Sequence, residues 1–194
     1  MLATANPGKL SELAALLADL GVEVIAQGVL GVPSAAETGS SFEENALIKA
    51  RHAALLTGLA AVADDSGLEV DALNGAPGIH SARYAGPDAS DRDNNARLLR
   101  ELEGKTLRIA RYRCVLAYLA KADSEPVLCA AAWEGAIATT PRGAGGFGYD
   151  PLFLVAGDRE QRTAAELAPA EKNRISHRAQ ALQQLRAVIA GRAR

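Results

Sequence analysis

The chain has 194 residues, a length that suits one domain or two small lobes sharing a core. Lysine and arginine number 21 against 23 aspartates and glutamates, so the basic surplus typical of nucleic-acid or membrane binding is missing. A hydrophobic content of 48% argues against disorder, and two cysteines exclude a disulfide scaffold. Neither a leader pattern at the N-terminus nor an apolar run of about 18 residues is found, which predicts a cytoplasmic protein.

The first half of the chain predicts helices that alternate with strands. Asn6 and Pro7 are typical of a helix start, as N-cap and first helical residue, and Gly21 ends the leucine-rich run that follows. A short strand, Val22–Ala26, is predicted next. A capped helix then extends over residues 41–57, with an inner face formed by Leu47, Ala50, Ala54 and Leu55.

The second half predicts further strands, a hairpin and a final helix. The predicted elements are a buried strand Leu59–Ala63, a helix Ser90–Glu103, a hairpin of Ile109–Leu119 with Val127–Ile137, a strand Leu152–Val155 and a helix Ser176–Ile189. Helices alternating with strands, followed by a late hairpin, predict an α/β fold with a mixed sheet. We expect one domain over residues 1–194, with a second lobe roughly within 74–140.

A candidate phosphate-binding segment joins the first strand to the first helix. It consists of Thr4-Ala5-Asn6-Pro7-Gly8-Lys9. Free backbone N–H groups and the helix dipole at a helix start attract anions, Gly8 allows close approach, and Lys9 adds a positive charge. The alternative is a capped junction that carries a surface lysine.

An acidic pair, Asp64-Asp65, follows a predicted buried strand. Ligands in α/β proteins bind at the carboxyl ends of strands, and two adjacent carboxylates repel each other unless cations compensate. If the backbone is still extended there, the two side chains point to opposite faces. In that case one aspartate can hold a metal, and the other should meet a lysine or a backbone N–H. The alternative is an acidic turn.

Two later segments are candidates for ligand contact. The glycine-rich loop 141–151 offers the ring of Phe147 or Tyr149 to a base, although a flexible loop is the alternative. Its G-x-G-x-x-G match is not a dinucleotide fingerprint, because Pro151 leads into a strand rather than a helix. Lys172 and Ser176-His177-Arg178 bring donor-rich side chains to the last helix, for which a solvated helix start is the alternative.

Taken together, six co-linear segments resemble the inosine/xanthosine triphosphate pyrophosphatase family of nucleotide hydrolases. They are residues 3–9 (ATANPGK), 41–46 (SFEENA), 63–68 (ADDSGL), 75–84 (GAPGIHSARY), 145–151 (GGFGYDP) and 171–178 (EKNRISHR). The resemblance implies hydrolysis of ITP, dITP and XTP to the monophosphate and pyrophosphate. It also implies Mg²⁺, a homodimer, and an elongated mixed sheet flanked by helices, with a cleft between two lobes.

The resemblance also implies the roles of individual residues. Asp65 is the expected proton acceptor and a metal ligand, and Glu37 is the candidate second ligand because the family's acidic pair is reduced here to Ala36-Glu37. Substrate-binding roles are implied for Thr4, Ala5, Asn6, Pro7, Gly8, Lys9, Lys49, Ser66, Phe147, Gly148, Tyr149, Asp150, Lys172, His177 and Arg178. Of these, Phe147 is expected to stack on the base, and Asp150, Lys172, His177 and Arg178 to contact its edge.

Two other functions stay open at this point. A septum-inhibitor-like pyrophosphatase acting on dTTP or UTP would share a phosphate loop, but not the Ser176-His177-Arg178 segment. A non-catalytic nucleotide sensor would share the fold, but the presence of Asp65 and Lys9 favours an enzyme.

Overall fold

Five strands form one sheet in the computed structural model, which describes residues 1–18 and 23–192 and side chains up to residue 188. The strands, in sheet order, are β1 (Leu2–Ala3), β2 (Ala61–Val70), β3 (Ile109–Leu119), β4 (Val127–Ile137) and β5 (Phe153–Val155). β1 pairs with β2 in parallel, whereas β5 pairs with β4 antiparallel. This confirms the predicted α/β fold with a mixed sheet.

The α-helices of the described residues are α1 (Pro7–Leu17), α2 (Phe42–Thr57), α3 (Asp91–Glu101), α4 (Pro169–Ile175) and α5 (His177–Arg192). The predicted cap at Ser41 is confirmed, because its hydroxyl accepts from the Glu44 N–H. The Ser90 hydroxyl accepts from the Asp93 N–H in the same way at the start of α3. No helix among the described residues is long and apolar enough to cross a membrane.

The acidic pair lies within a strand, which rules out the alternative of an acidic turn and extends the predicted strand Leu59–Ala63 to Val70. β2 continues without a break from Ala61 to Val70, so that Asp64, Asp65, Ser66 and Gly67 are all extended. The charges of the two aspartates suggested a turn, but their side chains find cationic partners, and the strand therefore need not end there. The predicted strand Val22–Ala26 is wrong in its described part, where Ala26 makes only an isolated bridge to Leu2. Residues 20–22, which include the predicted helix end at Gly21, lie outside the described residues.

Two helix predictions need correction. The expected final helix, Ser176–Ile189, is preceded by an unpredicted helix, α4, which has Pro169 in its first turn. Ser176 separates α4 from α5, since its backbone is extended with φ −66° and ψ 158°. On α2, the predicted inner residue Leu55 is 74% exposed, whereas Ala53 and Ala54 are buried.

The chain divides into two compact units, each with its own apolar core. Unit 1 consists of Met1–Asp65, Cys114–Ala131 and Arg178–Arg194, and its core includes Leu13, Leu116 and Leu182. Unit 2 consists of Ser66–Arg113 and Ala132–His177, and its core includes aromatic side chains such as Trp133 and Phe153. Unit 2 thus differs in extent from the expected second lobe at 74–140, and the single domain over 1–194 stays a prediction.

Candidate active site

The start of α1 has the geometry of a capped helix N-terminus. The Asn6 side chain accepts from the Lys9 N–H at 3.0 Å, and the Thr4 hydroxyl accepts from the Asn6 N–H at 3.2 Å. Pro7 occupies the first helical turn, as expected, and residues 4–9 are exposed or half-buried. The segment therefore offers an accessible helix start with a lysine side chain beside it, which is the arrangement that binds anions.

Asp64 is a buried carboxylate surrounded by donors of unit 1. Its Oδ1 lies 2.5 Å from Lys9 Nζ, and its Oδ2 accepts from Arg178 Nε at 2.9 Å and from Cys114 Sγ at 3.2 Å. Burial raises the pKa of a carboxylic acid, but the charges of Arg178 and Lys9 hold the pKa of Asp64 well below its usual range. Asp64 is therefore an anion at neutral pH, and it fixes the ammonium group of Lys9 next to the start of α1.

Arg178 lies in this charge cluster of unit 1. It is 1% exposed, and its guanidinium also pairs with Glu12 on α1. Lys172 and Asp150, which were expected to share the base-reading role, pair with each other in unit 2. The contacts of Arg178 favour a role in holding Asp64 and Glu12, and its role in reading the base edge stays a prediction.

A second cluster of unit 1 joins Asp65, Lys49 and Glu37. Lys49 Nζ donates to Asp65 Oδ1 at 2.6 Å and to Glu37 Oε1 at 3.0 Å. Burial raises the pKa of Asp65 above its usual value, although the Lys49 ammonium opposes this. Burial also tends to lower the pKa of Lys49, but the negative charges of Asp65 and Glu37 outweigh it and raise that pKa. The structure thus brings the two predicted metal ligands to one cationic group.

The environments of Asp64 and Asp65 differ because the two side chains alternate along an extended strand. Asp64 meets Lys9 and Arg178, whereas Asp65 meets Lys49, which is the division expected for an extended backbone. Asp65 Oδ2 is buried without a hydrogen-bond partner. Ser66 follows on the same strand. Among the described residues, no group of three or more histidines, cysteines, aspartates or glutamates is arranged to hold a metal ion.

In unit 2, the predicted base-contacting residues gather around Asp150. This carboxylate is 2% exposed and accepts from the Phe147 N–H at 2.9 Å and from Lys172 Nζ at 2.5 Å through Oδ2. Lys172 Nζ also lies 5.0 Å from the centre of the Phe147 ring, within the range of a cation–π contact. Tyr112 donates its hydroxyl proton to Asp150 Oδ1 at 3.1 Å.

Tyr149 and His177, two other predicted residues of unit 2, are also buried. The Tyr149 hydroxyl donates to the Ser81 carbonyl at 2.8 Å, and its ring belongs to the core. The buried His177 ring stacks on Tyr112 with a centroid distance of 4.7 Å. Gly148 donates its N–H to Asp91 on α3. A cavity of about 470 Å³ within unit 2 is bordered by this glycine, Phe147 and one face of α3.

Several partners of the predicted residues, among them Glu12, Cys114 and Tyr112, were not predicted from the sequence. Glu12 lies three positions after Lys9, and this helical spacing could have placed both on one face of α1. Cys114 and Tyr112 have no comparable signal, because each meets its carboxylate across a long sequence separation, 50 and 38 residues respectively.

Comparison with known proteins identifies the class to which this chain belongs. The profile of the Ham1 family matches residues 1–188. The chain is therefore a member of the Ham1 family, which agrees with the nucleotide-hydrolase resemblance of its six segments.

Individual relatives carry more specific names. A protein from Methylococcus capsulatus named dITP/XTP pyrophosphatase is 56% identical, over 100% of this chain and 95% of that protein. One of the same name from Escherichia coli K12 is 55% identical, over 95% of this chain and 94% of that protein. Among solved structures, a HAM1 protein from Coxiella burnetii has a TM-score of 0.89 and 52% identity, with 98% of this chain and 97% of that chain covered.

Proposed function

We propose that this protein hydrolyses the non-standard purine nucleoside triphosphates ITP, dITP and XTP to the monophosphate and pyrophosphate. The observation that carries the proposal is the acidic pair on β2. Asp64 holds Lys9 at the start of α1, and the neighbouring Asp65 keeps a buried oxygen without a hydrogen-bond partner. The names of the full-length relatives support the same activity.

Unit 1 supplies the groups that phosphate chemistry requires. Lys9, Lys49 and the N–H groups at the start of α1 neutralise the triphosphate, with the remaining residues of the 4–9 segment lining it. Ser66, which belongs to unit 2, keeps its substrate-binding role as a prediction from the resemblance. Asp65 accepts the proton of the attacking water.

A divalent cation fits the donor set of the Asp65 cluster. Carboxylate oxygens are the ligands that Mg²⁺ prefers, and Asp65 and Glu37 both face the one ammonium group of Lys49. The unpartnered Asp65 Oδ2 leaves an oxygen for such a ligand. A bound Mg²⁺ would neutralise charge on the phosphates and acidify a water.

Unit 2 supplies groups that suit a base. The Phe147 ring stacks on it, and Lys172 and His177 present donors to its edge, with Gly148 and Tyr149 shaping the loop that carries Phe147. The homodimer, the cytoplasmic location, the cleft between two lobes and the base-reading role of Arg178 belong to the same proposal. All of these except the cytoplasmic location, which is expected from the sequence itself, rest on the resemblance.

The test is a substrate panel with Mg²⁺ in which ITP, dITP, XTP, GTP, ATP and dTTP are compared and the phosphate products are separated. We expect pyrophosphate and monophosphate from the first three, with kcat/KM at least about a hundredfold above ATP, because a pocket built for a 6-keto acceptor leaves buried donors unpaired against an amino group. Preference for dTTP would support the septum-inhibitor-like alternative. Binding without turnover would support the sensor, and orthophosphate as the first product would contradict the proposal.

A further inference from the structure

The carboxylate of Asp150 organises the part of unit 2 to which the proposed function assigns the base. One of its oxygens, Oδ2, accepts from both the backbone of Phe147 and the side chain of Lys172. The same ammonium lies over the Phe147 ring. A single buried oxygen therefore sets the position of an aromatic ring and of the cation beside it.

The carboxylate fits against a glycine that leaves no room for a side chain. Gly146 has φ +72°, and a Cβ atom built there would lie 2.0 Å from Asp150 Oδ2. The backbone of Asp150 is also anchored, since its N–H donates to the Phe147 carbonyl and its own carbonyl accepts from the Ala165 N–H. What remains to be fixed is the rotation of the carboxylate plane, which decides whether one of its two equivalent oxygens can face both Phe147 and Lys172.

Tyr112 supplies the contact that fixes this rotation. Its hydroxyl donates to Oδ1, the oxygen that Phe147 and Lys172 do not use. The Tyr112 ring is held between neighbours, with centroid distances of 4.7 Å to His177 and 4.6 Å to Phe153. Because Asp150 is buried, bulk solvent does not replace a donor that is lost from Oδ1.

We propose that Tyr112 is a positioning residue for base recognition, which acts through Asp150 on Phe147 and Lys172. This inference rests on the proposed function for the identity of the ligand. The hydrogen-bond network that it invokes lies entirely within unit 2.

The test compares Tyr112→Phe with Tyr118→Phe, a matched control on the same strand whose ring packs against the core of unit 1. Tyr112→Phe keeps the stacked ring and removes only the hydroxyl. We expect KM for ITP to rise about three- to tenfold with kcat within about twofold, the scale of one typical lost hydrogen bond. The inhibition constant of inorganic triphosphate, which has no base, should not change. Amide hydrogen exchange at Phe147 should become faster, and Tyr118→Phe should change none of these values.

Each result decides the inference. An unchanged KM for ITP in Tyr112→Phe overturns it. A parallel loss of ITP and inorganic triphosphate binding with a lower unfolding temperature also overturns it, because Tyr112 would then support the fold in general. If the wild-type protein hydrolyses no purine triphosphate, the proposed function fails. The amide exchange at Phe147 then decides whether Tyr112 positions Phe147. Faster exchange at Phe147 in Tyr112→Phe supports the positioning role, and unchanged exchange rejects it.

Discussion

Two adjacent residues of one strand, Asp64 and Asp65, have carboxylates with opposite electrostatic environments. Arg178 and Lys9 more than offset the burial of Asp64 and lower its pKa, whereas burial outweighs Lys49 at Asp65 and raises its pKa. Two titratable groups whose pKa values are pushed apart indicate a division of roles. Asp64 suits a fixed structural anion, and Asp65 suits a group that takes up a proton or a cation.

The first prediction concerns Asp65→Asn. This change removes the proposed proton acceptor and metal ligand, so kcat should fall by about two to four orders of magnitude. The unfolding temperature should stay within about 3 °C of the wild type or rise, because a buried carboxylate with a raised pKa is replaced by a neutral group of similar shape. Steady-state pyrophosphate release and thermal unfolding measure the two effects.

The matched control is Asp123→Asn, which makes the same change at an exposed position between β3 and β4. It should affect neither kcat nor the unfolding temperature. An Asp65→Asn variant that keeps more than about a tenth of the wild-type kcat would show that Asp65 is not the catalytic carboxylate.

How far the sequence predicts such residues depends on how local their contacts are. The caps at Asn6 and Ser41 follow from neighbours three positions away, and both are confirmed. The opposite environments of Asp64 and Asp65 follow from strand alternation alone. The identity of their partners cannot be predicted in this way, because Arg178 lies 114 residues from Asp64 and 166 residues from Glu12 along the chain.

Among the elements, β2 and α4 are two that local sequence patterns did not predict correctly. The four residues from Asp64 to Gly67 have low strand propensity, yet β2 passes through them beside β3 in the sheet, although the pairing with β1 ends at Ala63. α4 has seven residues, too few for an apolar period to be recognised. By contrast, β3 and β4 have the predicted bounds, since eleven-residue apolar segments separated by a turn leave little choice.

The second prediction concerns the loop before β5. Gly146→Ala places a methyl group against the Asp150 carboxylate in a backbone with φ +72°, so it combines a clash with backbone strain. Gly157→Ala is the matched control, because Gly157 has φ +77° but open space around its Cβ position. The control should cost about 1–2 kcal/mol of unfolding free energy, the usual cost of a side chain in the left-handed region. Gly146→Ala should cost about 1–3 kcal/mol more.

Urea unfolding of both variants gives this difference, and KM for ITP gives its consequence for the proposed base contacts. We expect a raised KM in Gly146→Ala and an unchanged KM in Gly157→Ala. Equal losses of unfolding free energy in the two variants would mean that Asp150 moves aside without cost. The missing side chain at Gly146 would then not be what fixes the position of Asp150.

At the scale of the whole molecule, chain segments that are far apart in sequence meet in each of the two cores. Arg178 lies in the first turn of α5 and pairs with Asp64 of β2 and Glu12 of α1. Asp64 also accepts a hydrogen bond from Cys114 of β3. Burial and the negative charge of Asp64 raise the pKa of the Cys114 thiol, which keeps it protonated as a donor. One buried guanidinium thus links α5 to two other elements of unit 1.

The last prediction follows from this link. Arg178→Met leaves the buried Asp64 without its main counter-charge and should lower the unfolding free energy by about 3–5 kcal/mol at neutral pH. In the wild type the pKa of Asp64 is lowered, so its stabilising effect is complete above the unfolded-state pKa of about 3.9 and is lost as the pH falls further. In the variant, burial raises the pKa of Asp64, so protonation on acidification relieves the buried charge. The difference in stability between the two proteins should therefore be largest near pH 7 and should narrow toward pH 4.

Thermal unfolding of both proteins across this range, with Arg51→Met as the control, measures the effect. Arg51 is exposed on α2, so its replacement removes the same charge without burying an unpaired carboxylate, and its effect should be small at every pH. A constant difference between wild type and Arg178→Met at all pH values would mean that Arg178 contributes by packing alone. The ITP-to-ATP ratio of kcat/KM, measured on Arg178→Met under conditions where it is folded, separates this structural role from base reading. Loss of support for Asp64 should lower kcat/KM for both nucleotides alike, whereas loss of a base contact should lower only the ITP value.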